Sequence, residues 1–137
     1  MLATMRSMID YSLSKRRTLI ALFQGAASAM DACDADPYLR RAAKYHGVKT
    51  TRSCPVCKKF KIVELRYAFG DQLGQYSGRI KNQNELVEMQ SEYGEFRVYV
   101  VEICTDCHWN HLVESFLLGD GKYRKPPRKV RTLLDED

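Results

Sequence analysis

The sequence predicts an α+β fold, a small antiparallel sheet clamped at one end by paired cysteines and preceded by a helical N-terminal segment. Three observations carry that expectation. Two C-x-x-C pairs stand at 54–57 ("CPVC") and 104–107 ("CTDC"). Each adjoins a strand-like stretch, "FKIVELRYAF" at 60–69 and "FRVYVVEI" at 96–103, rich in β-branched and aromatic residues. The first fifty residues instead carry helical spacing and helix-capping signals.

Residues 5–24 read as a helix, with Met5, Ile9, Leu13, Ile20 and Phe23 along one side, Arg16 interrupting them, and Gly25 as a stop. "GAASAMDACDAD" is a connection. The next helix is better marked: Asp36 can cap it, Pro37 suits its first position and Gly47 can end it. Its spacing gathers Tyr38, Leu39, Ala42, Ala43 and His46 on an inner side and leaves Arg40, Arg41 and Lys44 on a basic outer face. In 60–69, Val63, Leu65, Tyr67 and Phe69 alternate with Glu64 and Arg66, so the two sets take opposite faces of a strand. "GDQLGQYSGRIKN" reads as a loop. Asn82 with Glu85 three residues on is a capping box for a short helix over 83–93. "FRVYVVEI" and "HWNHLVESFLLG" supply two further strands, making three in all. In "KYRKPPRKVR" (122–131) six of ten residues are cationic, and Pro126-Pro127 excludes helix or central strand there. The organisation is therefore an N-terminal helical segment (1–50), a cysteine-clamped sheet domain (51–121), and a tail (122–137) that is basic and then acidic.

Length and composition narrow the function classes. A chain of 137 residues with 45% hydrophobic and 28% charged residues is a globular domain. No window approaches the 18 or so uninterrupted apolar residues of a membrane span. Lys15, Arg16 and Arg17 break the N-terminal apolar run, which argues against a signal peptide and predicts a cytoplasmic protein. The five cysteines are odd in number and four fall in pairs, a pattern of metal or redox chemistry rather than of a disulfide framework. Formal charge is +5 with neutral thiols. Four thiolates around one divalent ion would lower it by two, so basicity matters only through its placement.

Cys54, Cys57, Cys104 and Cys107 are the predicted ligands of one structural Zn²⁺. Two short turns can aim four soft thiolates at a point, which is the closed tetrahedral set that zinc prefers. The pairs are separated by 46 residues, so the loop and the 83–93 helix form an insertion, and closure entropy grows only logarithmically with its length. With four cysteines available, His108 and His111 are expected to pack or hydrogen-bond beside the site, and Trp109 to be a core anchor. Cys33 is expected to be a small buried residue beside the second helix. His46 is the only base within reach of it along that helix. Asp34 and Asp36 precede a helix and are expected to cap it rather than act as paired catalytic carboxylates. A redox dithiol would open a helix in a βαβ unit, whereas both pairs here lead into strands. A closed site and the absence of any P-loop, nucleophile elbow or H-E-x-x-H predict a protein that is not an enzyme.

Over about residues 54–118 the two pairs resemble the zinc ribbons of RNA polymerase subunits, transcription factors and ribosomal proteins. Across nearly the whole chain, "CDADPYLRRAAKYHG", "CPVCKK" and "CTDCHWNHLVESFLLG" resemble a family of small actinobacterial proteins of unknown function, which implies a bacterial cytoplasmic setting. Transcript-cleavage ribbons carry an Asp-Glu pair at a hairpin tip; the 70–82 segment here has Asp71 alone, so that activity is not implied. The expectation is a non-enzymatic zinc ribbon that binds the transcription machinery, with RNA polymerase as leading partner. Arg124, Lys125, Arg128, Lys129 and Arg131 of the tail, with Arg40, Arg41 and Lys44, are the candidates for nucleic-acid contact. The alternatives are a ribosome- or RNA-associated factor and a thiol-dependent redox protein.

Overall fold

The computed structural model describes residues 5–25 and 32–122. Along the chain these form β1 (Arg6–Asp10), α1 (Ser12–Phe23), α2 (Pro37–His46), β2 (Val48–Ser53) and β3 (Lys61–Phe69). A 3₁₀ helix (Asp71–Tyr76), β4 (Arg79–Ile80), α3 (Gln83–Glu92), β5 (Phe96–Ile103) and β6 (Asn110–Leu118) follow. The fold is α+β, and its sheet is antiparallel throughout. That sheet has six strands rather than three, in the order β1–β6–β5–β3–β2, with β4 also paired to β3.

The added strands come from segments whose pairing is non-local. Residues 6–10, expected within a helix, lie against β6, with Ile9 opposite Ser115 and Asp10 opposite Glu114. Asp10 then accepts the Ser12 N–H at 2.7 Å, and the helix begins only there. That late start changes which side faces inward. Leu19 and Leu22 pack towards the cysteines, while Leu13, Ile20 and Phe23 are exposed.

The capping signals hold where they are local. Asp36 accepts from the Leu39 N–H at 2.9 Å, and Pro37 opens α2. Asn82 and Glu85 form a reciprocal capping box at α3. Gly47 ends α2 because there is no room for a side chain: a Cβ would stand 2.8 Å from Val63 Cγ2. Tyr38 and His46, expected on the inner side of α2, are exposed instead. Tyr38 lies about 140° around the helix from the buried Ala43, and His46 sits in the last turn, before the chain leaves for β2.

Register assigns the two sheet faces. On one, Ala68, Val98 and Val100 join Phe116 and Leu118 under Leu86, Met89 and Tyr93, forming the main core. Towards the cysteines this same face carries Glu64 and Glu102, directly opposite one another. The other face carries Val63, Leu65 and Ile103, which α2 covers through Ala43 and the preceding Ala35. Farther along it lie Tyr67, which still packs against this cluster, and then Phe69 and Tyr99. Among the described residues, no helix is long and apolar enough to cross a membrane.

Candidate metal centre

The β2–β3 and β5–β6 connections are built alike. In the first, the Cys54 N–H reaches the Phe60 carbonyl at 2.8 Å and the Lys58 N–H returns to the Cys54 carbonyl at 3.0 Å. In the second, Cys104 bonds the Trp109 carbonyl at 2.8 Å and His108 returns to Cys104 at 3.1 Å. The residue after each second cysteine is left-handed, Lys58 at φ 59° and His108 at φ 70°. That reversal closes a four-residue turn tightly enough for amides to point at sulfur: Val56 N–H to Cys54 Sγ is 3.4 Å and Cys107 N–H to Cys104 Sγ is 3.5 Å.

The ladder between β3 and β5, from Val63–Ile103 to Phe69–Arg97, sets these two turns side by side. All four sulfurs then lie within 4.8 Å of one another. The contacts cross between pairs, Cys54 to Cys107 at 3.6 Å and Cys57 to Cys104 at 3.7 Å. A tetrahedral ion with metal–sulfur bonds of about 2.3 Å needs sulfur–sulfur edges of about 3.8 Å. The four predicted ligands are thus brought together at a spacing that could hold one metal ion.

The thiols are not equivalent. Burial raises the pKa of Cys54 and of Cys104, and pushes Cys107 up to about 12 against the pull of the Trp109 N–H. Burial opposes ionisation of Cys57 too, yet the Lys59 and Phe60 N–H groups outweigh it and lower that thiol to about 7. A metal arriving at neutral pH would therefore displace protons, chiefly from the three more basic sulfurs.

Beneath the two turns, and shared by the strands that carry them, is a charged cluster centred on Glu102. Glu102 is fully buried and accepts from Lys15 Nζ of α1 at 2.8 Å, Arg52 of β2 at 3.0 Å and Trp109 Nε1 at 2.8 Å. Burial raises its pKa, but these donors prevail and hold it below the usual carboxylate value. Arg52 also bonds Glu64. Trp109, fully buried, is the anchor the sequence predicts, and His111 stacks on it at 5.8 Å. Glu102 was the residue to miss. Its one sequence signal is parity: it shares a strand face with Phe96, Val98 and Val100.

The flanking residues take other positions. Cys33 is half-buried, its sulfur 3.8 Å from Cys107 and outside the four-sulfur set. Asp36 caps α2, whereas Asp34 accepts from Asn110 at 2.9 Å. Neither histidine after Cys107 belongs to the set. Arg40, Arg41 and Lys44 line one cleft of about 570 Å³ with Lys49 of β2, which carried no signal in the sequence. Arg124, Lys125, Arg128, Lys129 and Arg131 lie outside the described residues.

Three curated proteins are similar over most of their length. They are the Uncharacterized proteins Rv0049 and MT0055 of Mycobacterium tuberculosis and Mb0050 of Mycobacterium bovis. Each is 41% identical over 120 residues, 88% of this chain and 88% of its own. No solved structure gives a significant match. Residues 2–132 match the family described as "Family of unknown function (DUF5318)", and with relatives of this identity and coverage the chain belongs to that family.

Proposed function

We propose that this protein is a zinc ribbon without catalytic activity, an accessory factor that binds the transcription machinery and touches its nucleic acid through α2. Zinc is the ion that four convergent thiolates favour, and a closed four-sulfur set leaves no position for substrate. In this reading Cys54, Cys57, Cys104 and Cys107 hold Zn²⁺, which would join the two turns covalently and keep α2 on a stiff base.

The observation that carries the functional part is the surface of α2. Arg40, Arg41 and Lys44 are exposed, line one cleft with Lys49, and are interleaved with two exposed tyrosines, Tyr38 (85%) and Tyr45 (68%). A basic surface of this kind meets phosphates, and its affinity falls with salt as counterions are released. RNA polymerase is the leading protein partner, by resemblance to its ribbon-bearing subunits and factors.

The test is a binding isotherm for labelled nucleic acid across a salt series, with the Arg40→Glu/Arg41→Glu/Lys44→Glu variant alongside the parent. The variant is expected to bind at least tenfold more weakly and to lose about two to three from the salt slope. Equal affinity and slope would remove α2 from the interface. In parallel, tagged protein captured from nuclease-treated lysate should retain polymerase subunits; their absence would rule out that partner.

A further inference from the structure

We infer that Cys33 and Cys107 are a peroxide-sensitive thiol pair, and that the disulfide they form opens the four-sulfur set. The inference goes beyond the zinc reading and rests on it only for the identity of the ion released. Cys33 Sγ lies 3.8 Å from Cys107 Sγ. That is close to the spacing at which the ligands meet one another, 3.6 Å for Cys54 and Cys107 and 3.7 Å for Cys57 and Cys104. Cys33 nevertheless stands outside the set whose four sulfurs converge. Its place is fixed by neighbouring hydrogen bonds rather than by the metal. The Ala35 N–H donates to the His108 carbonyl at 3.2 Å, and Asn110 Nδ2 donates to Asp34 at 2.9 Å. These bonds pin the residues after Cys33 onto the residues after Cys107, so a fifth thiol is held at the flank of the site.

Exposure separates this pair from the other sulfurs. Cys54 and Cys104 are buried, whereas Cys33 and Cys107 are half-buried. Cys57 is half-buried too, but the sulfur it meets is Cys104, another ligand. Cys33 is therefore the one thiol of the five that a metal in the set would leave unbound, and solvent reaches it. A hydroperoxide supplies the oxidising equivalents. The Cys33 sulfur attacks one peroxide oxygen, the O–O bond breaks, and the departing oxygen takes the thiol proton and leaves; Cys33 becomes a sulfenic acid. The Cys107 thiolate then attacks the Cys33 sulfur, the S–S bond forms, the S–O bond breaks and hydroxide departs. Two electrons have passed from the two sulfurs to the peroxide. Cys107, now held in the disulfide, no longer offers a thiolate to the set. Three sulfurs remain where a closed tetrahedral site needs four.

The experiment treats the full-length protein, isolated with its metal, with hydrogen peroxide. Metal release is followed with a colorimetric chelator, and disulfides are mapped by mass spectrometry of thiol-blocked peptides from the same samples. The first disulfide should join Cys33 to Cys107 and appear in step with release. Cys33→Ser should start with the same metal content and hold it at least tenfold longer at the same peroxide concentration, and Cys33→Ala should match it. A first disulfide within the four ligands, Cys54 to Cys57 or Cys104 to Cys107, would overturn the inference. So would Cys33 variants that release metal as fast as the parent. The mapping is done on the parent, so a variant that folds poorly does not shield the inference. If metal analysis finds no zinc, the zinc reading fails and the mapping still decides the pair. Bound zinc with no link between Cys33 and Cys107 ends the pair and leaves the zinc reading standing.

Discussion

The two cysteine turns share hydrogen bonds, a left-handed residue and a sulfur geometry, yet they are embedded very differently. The second is tied into the protein on several sides: Trp109 reaches down to Glu102, the His108 carbonyl accepts from Ala35, and Cys33 meets Cys107. The first packs Cys54, Val56 and Cys57 into a cluster with Leu19 and Leu22 of α1, but Lys58, Lys59 and Phe60 at its rim are exposed. The same local device thus carries more side-chain and backbone ties at one site than at the other, although all four sulfurs converge.

The strongest way to break this asymmetry is to remove the zinc that the proposed function places among the four sulfurs. Chelation should cost most of the energy of a structural zinc site, on the order of 10 kcal/mol in small domains, with the loss unevenly spread. Hydrogen exchange should show amides of Cys54 to Phe60 losing protection by orders of magnitude, and those of Cys104 to Trp109 far less. Equal loss at both turns would mean that the Glu102 cluster does not preform the second.

Next in size is Glu102 itself. Glu102→Gln should destabilise the protein by about 2–4 kcal/mol at neutral pH, since it leaves Lys15 without its carboxylate and Arg52 with Glu64 alone. The pKa of Glu102 is lowered on folding. Its contribution is therefore present above the ordinary carboxylate value and fades as pH falls through the folded one. The difference in denaturation midpoint between parent and variant should shrink on acidification below about pH 5. A difference that stays constant to pH 3 would show the cluster to be uncharged.

The smallest expected effect sharpens what the turns share. Glycine has no steric objection to positive φ, so Lys58→Gly should stabilise by about 1 kcal/mol. His108→Gly should gain less, because His108 is half-buried and loses packing. Calorimetric midpoints of the two variants decide it, and a larger gain at 108 would reverse the assignment of which turn is embedded.

What was legible in the sequence was what neighbouring residues decide. The capping of α2 and α3, the faces of β3 and the pairing of cysteines within each turn all depend on spacings of a few residues. What was hidden depends on distant partners. "RSMID" has no strong strand signature and becomes β1 because β6 offers an edge. Val63 and Phe69 obey the same alternation, yet one is covered by α2 and the other is exposed, a difference set by where a helix ends over a sheet. Glu102 gives no local signal of its role because its donors, Lys15 and Arg52, lie 87 and 50 residues away in sequence.

The pairing of β1 with β6 has a bearing on how the chain is made. Among the described residues the strand nearest the N-terminus docks on the strand nearest the C-terminus, so this sheet is not completed until residue 118 is available. Until then Cys54 and Cys57 travel as an isolated dithiol without the sulfurs that complete their tetrahedron. Those thiols are therefore open to oxidation while the chain is incomplete, and docking of the β5–β6 hairpin that carries the second pair is the step that covers them.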